Sequence, residues 1–121
     1  VTASSAVIVV GVDGSDTSRD AVRWALSQAA LTGAELRAVS SWRWPNYLTR
    51  VPPGVDLAAE TGTVLDEVIE GVLAENAQAA TGVTVTRHVV EGPAGPALLT
   101  QSDGATLLVV GARGRAAFPG M

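Results

Sequence analysis

Cysteine is absent from the 121 residues, which excludes disulfide staples, zinc–thiolate sites and thiol catalysis while leaving the compartment open. Lysine is absent too, so all eight basic side chains are arginine. That removes a Walker A phosphate loop, which needs a lysine at a fixed place, and any Schiff-base chemistry on this chain. A bound phosphate would have to be gripped by backbone and arginine. The formal net charge of −4 argues against an electrostatically driven nucleic-acid binder. No run approaches the roughly eighteen consecutive apolar residues of a membrane span, and Val1 to Ser5 lacks the basic region and apolar core of a secretory signal. The expectation is a soluble cytoplasmic protein with neither nucleic-acid nor membrane partners.

What is present suits a packed core. Hydrophobic residues make up 47% of the chain, enough for one compact domain over residues 1–121, and the length is too short for two ordinary ones. Ala6 to Val12 is a continuous Val/Ile-rich run, as expected of a parallel strand buried on both faces, and Thr106 to Val110 repeats it. Both are expected at the centre of a sheet. Glu35 to Trp42 and Val83 to Val90 are more mixed, and the alternation in the second predicts a strand nearer the edge. Between the first two strands, Asp16 to Thr32 carries Ala21, Val22, Ala25, Leu26 and Ala29 on one helical stripe, with Ser15 or Asp16 as N-cap and Gly33 as the stop. A loop from Arg43 to Gly54 precedes a helix expected from about Val55 to Ala80, with Val64, Leu65, Val68, Ile69, Val72, Leu73 and Ala77 in period and Gly71 a weak point. Gly92-Pro93 opens a further helix with Ala97, Leu98 and Leu99 facing the core. The order βαβαβαβ implies parallel pairing with right-handed crossovers: an α/β fold, an open parallel sheet with helices on both faces.

Two loops follow the most apolar strands. One is Gly11-Val12-Asp13-Gly14-Ser15; the other runs from Gly111 through Ala112, Arg113 and Gly114 to Arg115. Ligands of open parallel sheets bind outside the carboxyl ends of strands where the strand order reverses, so these loops are expected to face each other. A glycine turn lets backbone N–H groups approach a phosphate, and Arg113 and Arg115 add positive charge. Asp13 can accept from an amino group or a ribose hydroxyl. Ser15 offers a hydroxyl at a helix start, where backbone N–H groups are exposed. Two readings stay open at the first loop, a ligand site or a strand-to-helix turn with an N-cap, and the glycine pair is by itself of low specificity.

Together the two loops are more specific, and the chain resembles a universal stress protein. Val10-Gly11-Val12-Asp13-Gly14-Ser15 is similar to that family's first strand end, and Leu108 to Arg115 is similar to the start of its ATP motif: Gly, two residues, Gly, nine residues, then Gly and Ser or Thr. Val90-Glu91-Gly92-Pro93-Ala94 resembles its turn after the third strand. The resemblance implies a Rossmann-like sheet of the adenine nucleotide alpha hydrolase type, in order 3-2-1-4-5. It implies ATP, alone or with Mg2+, across the strand ends. Gly11, Asp13, Gly14 and Ser15 would border the nucleotide, with Asp13 contacting the base or ribose. Ser41 would lie beside the base through its backbone, and Val110, Gly111, Arg113 and Gly114 would surround the phosphates. Nine residues after Gly114 pass beyond Met121, so the end of the motif, the last helix and the fifth strand are expected in a longer chain, together with the family's usual dimer contact. A homodimer and a further protein partner are the expected assemblies.

Other candidates read as structure. His88, the only histidine, stands on an alternating strand without a neighbouring ligand set and is read as an edge-strand residue rather than a catalyst. Asp66, Glu67 and Glu70 share the polar side of a helix and are read as solvated charge. Trp42 and Trp44 flank Arg43 near the expected base site and are read as packing under the loop, with a lid over the base as the alternative. No nucleophile–base pair or Gly-x-Ser-x-Gly elbow is present. The chain is therefore expected not to be a dedicated enzyme, with slow ATP hydrolysis left open. The alternatives are a family member acting through protein contacts without nucleotide, and a nucleotide-transforming protein related to ATP pyrophosphatases. A receiver domain would need an acidic cluster and a lysine.

Overall fold

The computed structural model describes residues 6–44 and 52–111. Its elements run β1 (Val7–Gly11), α1 (Asp16–Thr32), β2 (Glu35–Trp42), α2 (Leu57–Glu75), α3 (Ala77–Ala80), β3 (Val85–Glu91), α4 (Ala94–Gln101) and β4 (Leu107–Val109). The four strands form one parallel sheet in the order β3-β2-β1-β4. β1 to β3 step one way across the sheet and β4 lies on the far side of β1. Right-handed crossovers therefore put α1 and α2 on one face and α4 on the other.

Alternation along β1 bears this out. Ile8, Val10 and Val12 pack with Leu36 and Ala38 against the apolar stripes of α1 and α2, while a Cβ at Gly11 would stand 3.0 Å from Leu98 of α4. Val9 and Val10 are both 0% exposed, the signature of a strand covered on both faces. α1 forms where its period predicts: Ser15 caps it by accepting from the Ser18 N–H, and Gly33 ends it in the left-handed conformation with its N–H on the Ala29 carbonyl.

Two expectations need correction. The helix expected to run unbroken to Ala80 stops at Glu75, and Gly71 does not interrupt it. The break falls at Asn76, whose backbone N–H and side-chain Nδ2 both reach the Val72 carbonyl, at 3.1 and 2.9 Å, so the side chain competes for a helical acceptor. In α4, Ala97 is buried, but Leu99 is 68% exposed rather than facing the core. Val64 is 40% exposed, lying beside Gly14. β4 is short and pairs with β1 as the last strand of the described order 3-2-1-4, as expected where the fifth strand is not part of the sequence.

Candidate functional site

The first loop is held by its own polar groups. The Asp13 Oδ1 accepts from the Ser15 N–H at 2.9 Å and from the Ser15 hydroxyl at 2.6 Å. Ser15 Oγ in turn accepts from the Ser18 N–H at 3.2 Å, so the cap of α1 and the orientation of Asp13 are one arrangement. Gly14 makes the turn possible with φ +84°, and its Cβ position would lie 2.9 Å from Val64 of α2. Two buried serines brace the loop from below. Ser40 of β2 donates to the Val12 carbonyl at 2.7 Å. Ser18 Oγ donates to the Ser15 carbonyl at 3.0 Å and receives the Asp13 N–H at 3.4 Å.

The end of β4 meets this loop at the start of α1. A Cβ on Gly111 would stand 2.6 Å from the Thr17 carbonyl oxygen and 2.7 Å from its carbon, so only glycine lets the two backbones touch. Above that contact opens a cleft of about 720 Å3 at the carboxyl ends of the strands. One side is polar, formed by Asp13, Ser15, Thr17 and Ser18; the other is apolar, formed by Ala94, Gly95, Leu98 and Leu99 of α4 with Val39, Leu108 and Val110. A smaller hollow of about 300 Å3 shares Val12, Asp13 and Ser41 with it and reaches toward Glu60, Thr61 and Val64 of α2.

Of the residues expected at the site, Gly11, Asp13, Ser15, Ser41, Val110 and Gly111 line the cleft together. Gly14 is not among the lining residues and serves as the turn behind them. Arg113 and Gly114 lie outside the described residues, as does much of the loop after Trp44. Sequence reading missed Thr17, Ser18, Ser40 and the α4 wall. Ser18 carried a signal, three residues after the cap; Ser40 carried none, because its partner is 28 residues away.

The remaining candidates sit elsewhere. Asp66 and Glu70 are not simply solvated: they grip the Arg87 guanidinium of β3 at 2.9 and 2.7 Å, which raises its pKa above the ordinary arginine value, Glu70 contributing most. His88 lies on the edge strand with Nε2 3.2 Å from the Thr86 hydroxyl. Trp42 and Trp44 pack edge to face on each other, their centroids 6.3 Å apart. Among the described residues no three His, Cys, Asp or Glu side chains are grouped to hold a metal, and no helix is long and apolar enough to cross a membrane.

A parallel sheet with a glycine-bounded cleft at its switch point is a common architecture, and comparison with known proteins narrows it. The model of the Universal stress protein family matches residues 6–121. The chain belongs to the universal stress protein family. Universal stress protein Rv2623 of Mycobacterium tuberculosis H37Rv is 34% identical over 116 residues, a match covering 96% of this chain and 38% of that protein. The chain thus spans less than two-fifths of the length of the curated relatives it matches. Among solved structures, a universal stress protein in complex with cAMP is 28% identical with a TM-score of 0.61, covering 85% of this chain and 69% of that one. A family protein from Burkholderia pseudomallei is 26% identical with a TM-score of 0.63, covering 93% of this chain and 85% of that one. The fold is the Rossmann-like α/β fold of these universal stress proteins, with strand order 3-2-1-4 among the described residues.

Proposed function

We propose that this chain binds an adenine nucleotide, ATP in the first instance, across the carboxyl ends of β2, β1 and β4, and that it acts as a stress-response or signalling module without a dedicated catalytic centre. The observation that carries the reading is the single cleft in which Gly11, Asp13, Ser15 and Ser41 meet Val110 and Gly111. The lining fits the ligand class. Its apolar side suits the faces of a base, the Asp13 carboxylate suits ribose hydroxyls or an amino group, and the first turn of α1 beside Gly111 suits phosphate. The cAMP complex of a family member supports the class. Asp13 is the only carboxylate among the described lining residues, so Mg2+ would enter on the phosphates rather than in a protein cage. The full-length protein is proposed to be a cytoplasmic homodimer that signals through a protein partner.

Calorimetric titration of the full-length protein with ATP and cAMP tests this. Asp13→Ala and Gly114→Val should each weaken ATP binding at least about tenfold, or roughly 1.4 kcal/mol. Affinity unchanged by both would remove the pocket from the proposal. Turnover of about 1 per second or faster would replace the module with an enzyme. Sedimentation equilibrium on the same sample reads the dimer, and a monomer at all concentrations would refute that part.

A further inference from the structure

Gly95 is a glycine of the cleft that neither a positive φ nor packing against another element requires. Gly14 needs its positive φ, while Gly11 and Gly111 have neighbours at 3.0 Å or closer to where a Cβ would stand. Gly95 has no such φ, and apart from its chain neighbours Ala94 and Pro96 and the backbone of its own helix a Cβ there would meet no heavy atom within 4 Å. It is the second residue of α4 and directly precedes Pro96, whose ring disfavours a Cβ on a helical residue before it, but beyond that neighbour its side-chain position is free. Gly71 shares that freedom in α2 but does not line the cleft. Residues 95, 98 and 99 lie three and four apart on one helical face, and Leu98 and Leu99 both line the cleft. A side chain at 95 would therefore project into the same space.

The cleft is also divided by polarity. Asp13, Ser15 and Thr17 stand on the α1 side, whereas α4 offers only apolar surface, facing Val39 and Ser41 at the end of β2. A nucleotide is divided in the same way, between a flat base with apolar faces and a polar sugar-phosphate. We infer that the first turn of α4 is the wall against which the base lies, and that Gly95 is a specificity-determining residue whose missing side chain leaves depth for a purine. The inference rests on the adenine-nucleotide reading above and adds where the base sits and what sets its size.

The test is Gly95→Leu, with Gly95→Ala as the milder change, in the full-length protein. The melting temperature and the affinities for ATP and UTP are measured on each. The melting temperature reads the cost of a Cβ before Pro96 separately from the affinities, and a variant that still melts cooperatively is folded. The ATP-to-UTP affinity ratio of the leucine variant should fall at least tenfold, since the larger base is excluded first, and alanine should shift the ratio in the same direction by less. A folded Gly95→Leu protein with the wild-type ratio overturns the inference and leaves the adenine-nucleotide reading standing. If the leucine variant does not fold, an unshifted ratio in Gly95→Ala overturns it instead. Wild-type protein that binds no nucleotide overturns both.

Discussion

Ser40 and Asp13 are one mechanical unit although Ser40 sits on β2 and Asp13 in the loop after β1, and they differ in visibility. The Ser40 hydroxyl donates to the Val12 carbonyl at 2.7 Å, and Asp13 is the next residue along the chain. Removing that hydroxyl leaves an enclosed carbonyl without its donor, a loss of about 1–3 kcal/mol. Ser40→Ala should therefore lower the urea-unfolding free energy by that amount, and Ser40→Thr, which restores a hydroxyl, should recover part of it. An alanine variant with an unchanged urea midpoint would show that the bond contributes nothing. The asymmetry in legibility has the same origin. Asp13 and Ser15 were readable because an acid and a small hydroxyl between a buried strand and a helical period have few uses. Ser40 looks like any polar residue in a strand, and its role exists only once β2 is paired with β1 in register.

Between elements, the described ion pairs join residues that do not line the cleft and bind helix to helix or helix to strand. Arg23 of α1 reaches Glu75 at the end of α2, with Nε 2.8 Å from Oε1. The hydrogen bond from Arg23 holds the Glu75 carboxyl below the usual glutamate range. Its folded pKa is thus lower than its unfolded one, so the stabilisation is fully present above the ordinary value of about 4.3 and fades as pH falls through the depressed folded value. Unfolding experiments between about pH 6 and 3 should show a steeper loss of stability in wild type than in Glu75→Gln, and because both side chains are exposed the difference should shrink in about 1 M salt. Parallel pH profiles would dismiss the contact as a contributor. Periodicity predicted that α1 and α2 exist and which stripes they bury, yet not that Asn76 would break the second helix. That outcome depends on a side chain finding the Val72 carbonyl, a local competition that a hydrophobic pattern does not encode.

Over the whole molecule, the two most apolar runs lie side by side as β1 and β4, and β4 is the last strand of the described order 3-2-1-4. β4 pairs three residues with β1, and Leu107 is 39% exposed. Apolar content alone does not distinguish a strand covered by described neighbours from one that is not. What the pattern did convey is direction: with every described strand parallel, the loop after β1, Val110 and Gly111 after β4, and the first turns of α1 and α4 gather at one end. A ligand held there should touch segments far apart in sequence and none at the other end. Hydrogen exchange of the full-length protein, with and without ATP, should therefore show slower exchange together in residues 12–18 and 94–99, where local opening is suppressed by the shared ligand. Residues 33–35 and 104–106, at the amino ends of β2 and β4, should exchange at unchanged rates. Protection confined to that opposite end, or spread evenly over the sheet, would mean that the nucleotide binds elsewhere and that the cleft between α1 and α4 is a consequence of the fold rather than its site.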